Sequence, residues 1–309
     1  MKRVLLTGAH GLLGQKIAEI FQRESETELL LTGRQQETFY SPLEYDYVPL
    51  DITQRNAVRD LLESFRPDVI INSAAFTDVD RCEREREQAW NVNVHGVQNL
   101  VAAALRIGSA IVHISTDYIF DGKNGPYDER ARPNPINYYG KSKLAGENVL
   151  RGSGVPFAIV RTMSLYGTGK NIRPNFVLRI LMNLRDGKSA YAPTDQWTNP
   201  TLANEVAYAI LKIVEGGKFD IYHISGSERL TRYQFAVKIA EVFHFDPSLI
   251  QPKSSDELRN DAQRPKCSGF ITLKAETELG IRFSNVAQGL NVVKRELSNI
   301  HRIRGLSHA

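Results

Sequence analysis

Apolar residues fall into two rhythms along the first half of the chain. Short apolar runs at 4–7, 29–32, 47–50, 69–72, 110–115 and 157–161 are too brief for helices, and runs of this kind predict strands covered on both faces. Between them, stretches at 12–23, 54–64, 83–107 and 139–150 place apolar residues at helical spacing. Parallel strands need a crossover between neighbours, and that crossover is right-handed almost without exception. The pattern therefore predicts an α/β fold: a doubly wound parallel sheet of the Rossmann type, with ligands at the carboxyl ends of its strands.

After residue 161 the rhythm breaks. Gly167, Gly169, Pro174, Pro193 and Pro200 cut the chain into short pieces around a helix at 175–185. A helix at 201–214 and a strand at 221–224 are read as returning to the main sheet. A helix at 231–243 follows, then a loop rich in Pro, Ser and Asp up to Pro265. The expected organisation is a dinucleotide-binding domain of residues 1–163 plus roughly 200–225. A smaller, discontinuous substrate-binding lobe takes 164–199 and 226–300, and a basic tail takes 301–309.

Composition narrows the function classes. The chain has 309 residues, 42% hydrophobic, with a net charge of +4 dispersed among acids rather than gathered in a stripe, which argues against nucleic acid as a partner. No apolar run approaches the length of a membrane span, and no signal peptide is read at the start. Cys82 and Cys267 stand alone, without the paired spacing of a zinc site or a redox motif, so no metal is expected. A cytoplasmic setting is the reading that follows, with a homodimer left open.

The segment Thr7-Gly8-Ala9-His10-Gly11-Leu12-Leu13-Gly14 follows the first strand and opens the first helix. Gly8 permits the tight turn, Gly11 lets the backbone approach a pyrophosphate, and Gly14 lets helix and strand pack closely. His10, Leu12 and Leu13 complete the cradle, whose unpaired N–H groups point at the anion. At the end of the second strand, where NAD binders usually place an acid, Leu31-Thr32-Gly33-Arg34 offers a guanidinium. Arg34 either pairs with a 2′-phosphate, which makes NADPH the preferred cofactor with NAD still open, or is a plain surface residue. Asp51 and Ile52 after the third strand, and Ala74, Ala75 and Thr77 after the fourth, are placed to flank the rest of the dinucleotide.

Tyr139 and Lys143 lie one helical turn apart and follow a strand ending in Ser115-Thr116. An ammonium beside a phenol is expected to pull its pKa down toward the working range, and Thr116 is placed to hold a substrate oxygen. Together the three suit hydride transfer to a carbonyl, with Tyr139 as proton donor and both Tyr139 and Lys143 against the cofactor. Two further Tyr-x-x-x-Lys matches, Tyr166 with Lys170 and Tyr208 with Lys212, lack a hydroxyl-bearing strand end before them.

These segments resemble the extended short-chain dehydrogenase/reductase superfamily, and within it the dTDP-4-dehydrorhamnose reductase group. The resemblance is carried by residues 7–14, 67–75, STDYIFDG at 115–122 and YGKSKLAGE at 139–147. It continues through Val160–Thr162 with Tyr166-Gly167, Asp195-Gln196 with Pro200-Thr201, and Arg264-Pro265 with Ser268. It implies an NAD(P)H-dependent reductase of a keto group on a nucleotide-linked sugar. Thr116, Tyr139 and Lys143 become its triad, and Asp117 and Tyr118 lie near the substrate. Ser164 and Trp197 fall in segments expected to shape the sugar pocket, and Arg264 offers a fork for the diphosphate. Two departures stand out: the segment Arg161–Tyr166 lacks the Trp common in the group, and Trp197-Thr198-Asn199 replaces its usual aromatic and glycine. The second half, notably 262–265, also resembles the regulatory subunit of methionine adenosyltransferase, and a sugar-nucleotide epimerase is the third reading.

Overall fold

The computed structural model describes residues 1–36, 46–258 and 260–306, and only the backbone of 300–306. The first half builds β1 (Arg3–Thr7), α1 (Leu12–Glu24), β2 (Glu28–Gly33), β3 (Tyr47–Pro49), α2 (Arg55–Phe65) and β4 (Val69–Asn72). There follow α3 (Val79–Arg84), α4 (Arg86–Trp90), a π-helical turn at Asn91–His95, α5 (Gly96–Ile107), β5 (Ala110–Thr116), α6 (Tyr138–Arg151) and β6 (Phe157–Thr162). The second half adds β7 (Leu165–Tyr166), α7 (Phe176–Arg185), β8 (Ala190–Pro193), β9 (Trp197–Thr198), β10 (Thr201–Leu202), α8 (Ala203–Gly216) and β11 (Ile221–His223). The chain ends in β12 (Leu230–Thr231), α9 (Arg232–Phe243), β13 (Ile250–Lys253), α10 (Leu273–Leu279) and α11 (Val286–Leu306).

Seven strands form one sheet in the order β11-β6-β5-β4-β1-β2-β3, and every pairing in it is parallel. This is the doubly wound α/β sheet that the alternating pattern predicts, with β11 returning to its edge. One face carries α1 and α8 over Val4, Leu6, Leu31 and Val112; the other carries α2 and α5 over Leu5, Ile70 and Ile111. Adjacent residues of each strand thus feed opposite cores, which is why the strands read as continuous apolar runs.

A separate core fills the lobe, where Val177, Ile180 and Leu184 of α7 meet Phe235 and Ile239 of α9 and Leu290 and Val293 of α11. Two sequence expectations change. The single helix read at 83–107 is broken into α3, α4, the π-turn and α5. The stretch around α10, read as lobe, instead packs Ala275, Leu279, Ile281 and Phe283 into the core of the main sheet. The tail read from 301 continues α11 to Leu306, and 307–309 lie outside the described residues.

Candidate active site

The glycine turn sits where β1 meets α1. Gly8 has φ +69°, and a Cβ there would lie 2.7 Å from the Ala74 nitrogen; a Cβ on Gly14 would meet the Gly8 carbonyl at 2.3 Å. Gly11 caps α1 without a side-chain hydrogen bond and is exposed, so the first N–H groups of α1 are open to a ligand. Leu13 is buried in the core below and Leu12 is half-buried against Gly167. The His10 ring packs edge-on to Tyr47 at 5.0 Å and occupies the space beside Gly33. This cradle of close backbone and open N–H groups fits a dinucleotide phosphate.

Around it, Arg34 is exposed one residue beyond β2. Asp51 accepts hydrogen bonds from the Thr53 N–H and hydroxyl (2.9 and 2.8 Å), while Ile52 is buried against Gly96. Ala74 and Ala75 are half-buried and Thr77 is exposed. All flank the same carboxyl edge of the sheet.

Thr116 ends β5, and Tyr139 and Lys143 enter from the start of α6, which Asn137 caps by accepting from the Gly140 N–H at 2.8 Å. Tyr139 lies close enough to Thr116 for its hydroxyl to feel that side chain, and its ring packs edge-on to Tyr118 at 5.6 Å. Burial holds Tyr139 above the ordinary phenol range, and Thr116 only partly offsets it. The expected pull from Lys143 is not what acts here. Lys143 donates to the Ile114 carbonyl at 2.7 Å and its Nζ lies 3.3 Å from His113 Nε2; burial lowers its own pKa to about 8.

His113 belongs to a buried polar row that sequence reading passed over. In sheet register, Thr7 sits beside Asn72 and Asn72 beside His113. The Thr7 hydroxyl donates to Asn72 Oδ1 at 2.7 Å, and Asn72 Nδ2 lies 3.1 Å from His113 Nδ1. The row links the residue before Gly8 to Lys143. Burial, with Lys143 adding to it, holds His113 well below its usual range, so the imidazole is neutral. A signal existed in the sequence: three polar residues at strand positions that should be apolar.

Beside Thr116, the Asp117 carboxylate accepts from the Ser268 hydroxyl at 2.8 Å and the Thr116 hydroxyl at 3.2 Å; burial raises its pKa to about 6. Asp117, Tyr118, Ser164, Trp197, Arg232 and Ser268 line one cleft. Ser164 has φ +42°, a strained conformation for a residue with a Cβ, and its hydroxyl lies 2.5 Å from that of Thr198. Trp197 lies under the Arg229 guanidinium at 4.9 Å. Arg264 is tied to Asp80 at 2.7 Å and to the Ala262 carbonyl at 3.0 Å, so its fork is already engaged by protein.

The alternative Tyr-x-x-x-Lys pairs stay apart from this edge. Tyr166 is buried in the lobe core, and Tyr208 stands on α8 with the Lys212 Nζ 5.2 Å over its ring. Cys82 is buried beneath Tyr139, where burial pushes its thiol up to about 12, and both cysteines are free.

The model of the family described as RmlD substrate binding domain matches residues 1–298. The dTDP-4-dehydrorhamnose reductase of Aggregatibacter actinomycetemcomitans is 35% identical over 306 residues, covering 95% of this chain and 99% of that protein. Methionine adenosyltransferase 2 subunit beta of Danio rerio is 34% identical over 271 residues, covering 86% of this chain and 81% of that one. Among solved structures, a dTDP-4-dehydrorhamnose reductase from Bacillus anthracis str. Ames in complex with NADP matches with a TM-score of 0.81 at 31% identity, over 96% of this chain and 99% of that one. These likenesses extend over nearly the whole length of the chain, and the chain belongs to the RmlD substrate binding domain family.

Proposed function

We propose that the protein reduces the keto group of a nucleotide-linked sugar, as a dTDP-4-dehydrorhamnose reductase does, with NADPH preferred. The observation that carries this reading is the placing of Thr116 at the end of β5 beside Tyr139 at the start of α6, with Lys143 one turn on, next to a glycine cradle with open N–H groups. A bound reduced nicotinamide supplies the hydride. The chain's own part is to place the sugar carbonyl against Thr116 and Tyr139, and to deliver a proton from the Tyr139 hydroxyl to the carbonyl oxygen as it gains negative charge. Burial keeps that hydroxyl protonated at neutral pH, the state a donor needs. Gly8, His10, Gly11, Leu12, Leu13 and Gly14 hold the phosphates, with Arg34 at the 2′-phosphate and Asp51, Ile52, Ala74, Ala75 and Thr77 along the dinucleotide. Asp117, Tyr118, Ser164 and Trp197 hold the sugar.

The reading places residues 1–163 and 200–225 around the cofactor and the lobe of 164–199 and 226–300 over the sugar, in a cytoplasmic protein. Among the described residues no helix is long and apolar enough to cross a membrane. A panel of keto-sugar nucleotides, beginning with dTDP-4-dehydrorhamnose and assayed by absorbance loss with NADPH and NADH, tests it. NADPH oxidation is expected, with tighter binding than NADH by some ten- to a hundredfold, and Arg34→Ala should narrow that gap. Binding of both cofactors without turnover of any sugar would favour the regulatory reading, which the likeness to methionine adenosyltransferase 2 subunit beta supports. Stoichiometric NAD on the purified protein would favour an epimerase.

A further inference from the structure

Strands inside a doubly wound parallel sheet are expected to be apolar on both faces, and three neighbouring strands break that rule in one line. Thr7 of β1 lies beside Asn72 of β4, and Asn72 beside His113 of β5; none of the three is more than 1% exposed. Buried polar groups without partners are costly, and these find theirs chiefly in one another. The line ends on α6 at Lys143, 2% exposed, whose Nζ lies 3.3 Å from His113 Nε2 and donates to the Ile114 carbonyl at 2.7 Å. At its other end, beside the glycine turn, the Thr7 hydroxyl accepts from the Ala74 N–H at 3.3 Å. Apolar side chains at the three strand positions would serve the core alone, so the row points to a task at Lys143.

Each member of the row is two-faced. A hydroxyl donates or accepts, an amide presents its oxygen or its nitrogen when turned over, and a neutral imidazole carries its one proton on either nitrogen. With the Thr7 hydroxyl donating to Asn72 Oδ1 (2.7 Å) and Asn72 Nδ2 donating to His113 Nδ1 (3.1 Å), the imidazole proton sits on Nε2 and points at Lys143. An amine has a lone pair to receive it; an ammonium has none. With the amide turned over and the proton on Nδ1, Nε2 is bare and accepts from an ammonium. The same heavy-atom positions therefore partner Lys143 in both charge states. Burial lowers the Lys143 pKa to about 8, so both states fall within reach of working pH. The charge of Glu147, which favours the ammonium, is shared with Arg161 and Arg151. Among the other groups packed on this part of α6, Asn93 is uncharged, Asp117 and Cys82 act on Tyr139, and Glu83 accepts from the Tyr138 N–H. Burial and Lys143 hold His113 well below its usual range, so its ring stays neutral and only the place of its proton changes.

We propose that Thr7, Asn72 and His113 form a reversible hydrogen-bond row, in which His113 is a positioning residue that keeps Lys143 partnered both as ammonium and as amine; that the row serves a reduction rests on the function proposed above. When Lys143 titrates, one proton passes to solvent and no other charge changes. The imidazole keeps one proton throughout, on Nδ1 while Lys143 is an ammonium and on Nε2 once it is an amine. In the reduction, the ammonium one turn from Tyr139 stabilises the phenolate left when that hydroxyl gives up its proton. Activity that needs the ammonium is lost as pH rises through the Lys143 titration, and the row sets where that loss falls.

The test follows the full chain, its histidines labelled with nitrogen-15, by NMR across a pH range spanning about 8, the Lys143 value. The His113 signals are those missing from His113→Gln, and their shifts report which ring nitrogen is protonated. The proton is expected on Nδ1 below that value and on Nε2 above it, and Lys143→Met should hold one tautomer at every pH. A single tautomer throughout in the native protein, or a change that persists in Lys143→Met, overturns the row. Kinetics give a second readout. His113→Phe removes a partner that the ammonium needs more than the amine does, because hydrogen bonds to charged groups are the stronger. The alkaline limb of kcat/KM for a keto-sugar nucleotide should therefore move down by about one pH unit, with substrate KM within twofold. His113→Gln, whose amide is again two-faced, should restore the limb. A His113→Phe limb that coincides with the native one overturns the part given to His113; should that variant not fold, the native NMR titration still decides. A proton that moves in a protein reducing no keto-sugar nucleotide supports the row and overturns the proposed function. Reduction by a protein with one fixed tautomer does the reverse.

Discussion

Burial raises the pKa of Tyr139 and lowers that of Lys143, so each favours its neutral form more than it would in water. For the proposed reduction this leaves the phenol protonated and the proton available where the oxygen turns basic. Tyr139→Phe removes the hydroxyl and keeps the ring against Tyr118 and Cys82. It should cut kcat by about a hundred to ten thousandfold while cofactor affinity and melting temperature hold. Tyr166→Phe and Tyr208→Phe, remote from the sheet edge, should keep kcat within a few fold of native. Equal rates for Tyr139→Phe and native protein would show that the proton comes from elsewhere. Asp117 carries a separate consequence. Its folded pKa is raised to about 6 from 3.8, so its contribution to stability is fully present below about 4 and is lost as pH rises through about 6. Asp117→Asn should therefore stabilise the fold at pH 8 by ~2–3 kcal/mol, a gain that shrinks toward zero near pH 4. Denaturant midpoints measured at both pH values check the sign.

The helix that brings Tyr139 and Lys143 to the edge, α6, is pinned from below by one buried ion pair. Arg161 of β6 donates to Glu147 of α6 at 3.0 and 2.8 Å, and the Ser115 hydroxyl donates to the same carboxylate at 2.6 Å. Burial pushes Glu147 up, but the bonds and charge of Arg161 outweigh it and hold the carboxyl below its ordinary range. Glu147→Gln would leave the Arg161 guanidinium buried without a counter-charge, and should lower unfolding free energy by about 3–5 kcal/mol. Glu63→Gln, which breaks an exposed pair with Arg106, should change it by about 0.5 kcal/mol or less. Urea denaturation of the two variants decides whether the pair anchors α6. At this scale the sequence was legible wherever local period and burial agree, as in the six strands read before residue 162. It was not legible where a tertiary bond overrides the period. In the stretch 83–107 the Asn93 side chain bonds the Phe76 N–H and carbonyl (2.9 and 3.1 Å) and the Ser142 hydroxyl (2.9 Å), and the helix takes a π-turn at that residue. Thr116, Tyr139 and Lys143 were legible because a strand end and a helical turn suffice to place them. The Thr7, Asn72 and His113 row depends on which strands and helices become neighbours.

The chain crosses between the sheet domain and the lobe near Ser164, at 199–203 and 224–227 and again on either side of α10, and the lobe keeps a core of its own. The left-handed Ser164 lies at the first crossing. Two segments whose Gly and Pro content suggests ordering on ligand binding, 164–199 and 252–265, are stapled to each other. The Ser255 N–H and hydroxyl both donate to Asp195 (2.9 and 2.6 Å), Lys266 pairs with Asp195 at 3.0 Å, and β13 runs parallel to β8. Arg264 on the second segment reaches across to Asp80, near the start of α3. A lid that opened by peeling one loop would have to break the bonds to Asp195, whereas rotation of the whole lobe about its crossings keeps those and strains only contacts that cross to the sheet domain, Arg264 with Asp80 among them. Closure over a sugar nucleotide is therefore expected to move both segments as one piece. Hydrogen exchange followed with NADP and a nucleoside diphosphate sugar, against each alone, measures it. Residues 164–175, 186–199 and 252–265 should gain protection together and most strongly with both ligands, while the lobe core of α7, α9 and α11 stays as protected as before. Protection of 252–265 alone would mean that the loop folds over independently. Unchanged exchange in both segments would mean that the cleft is already closed before ligands arrive.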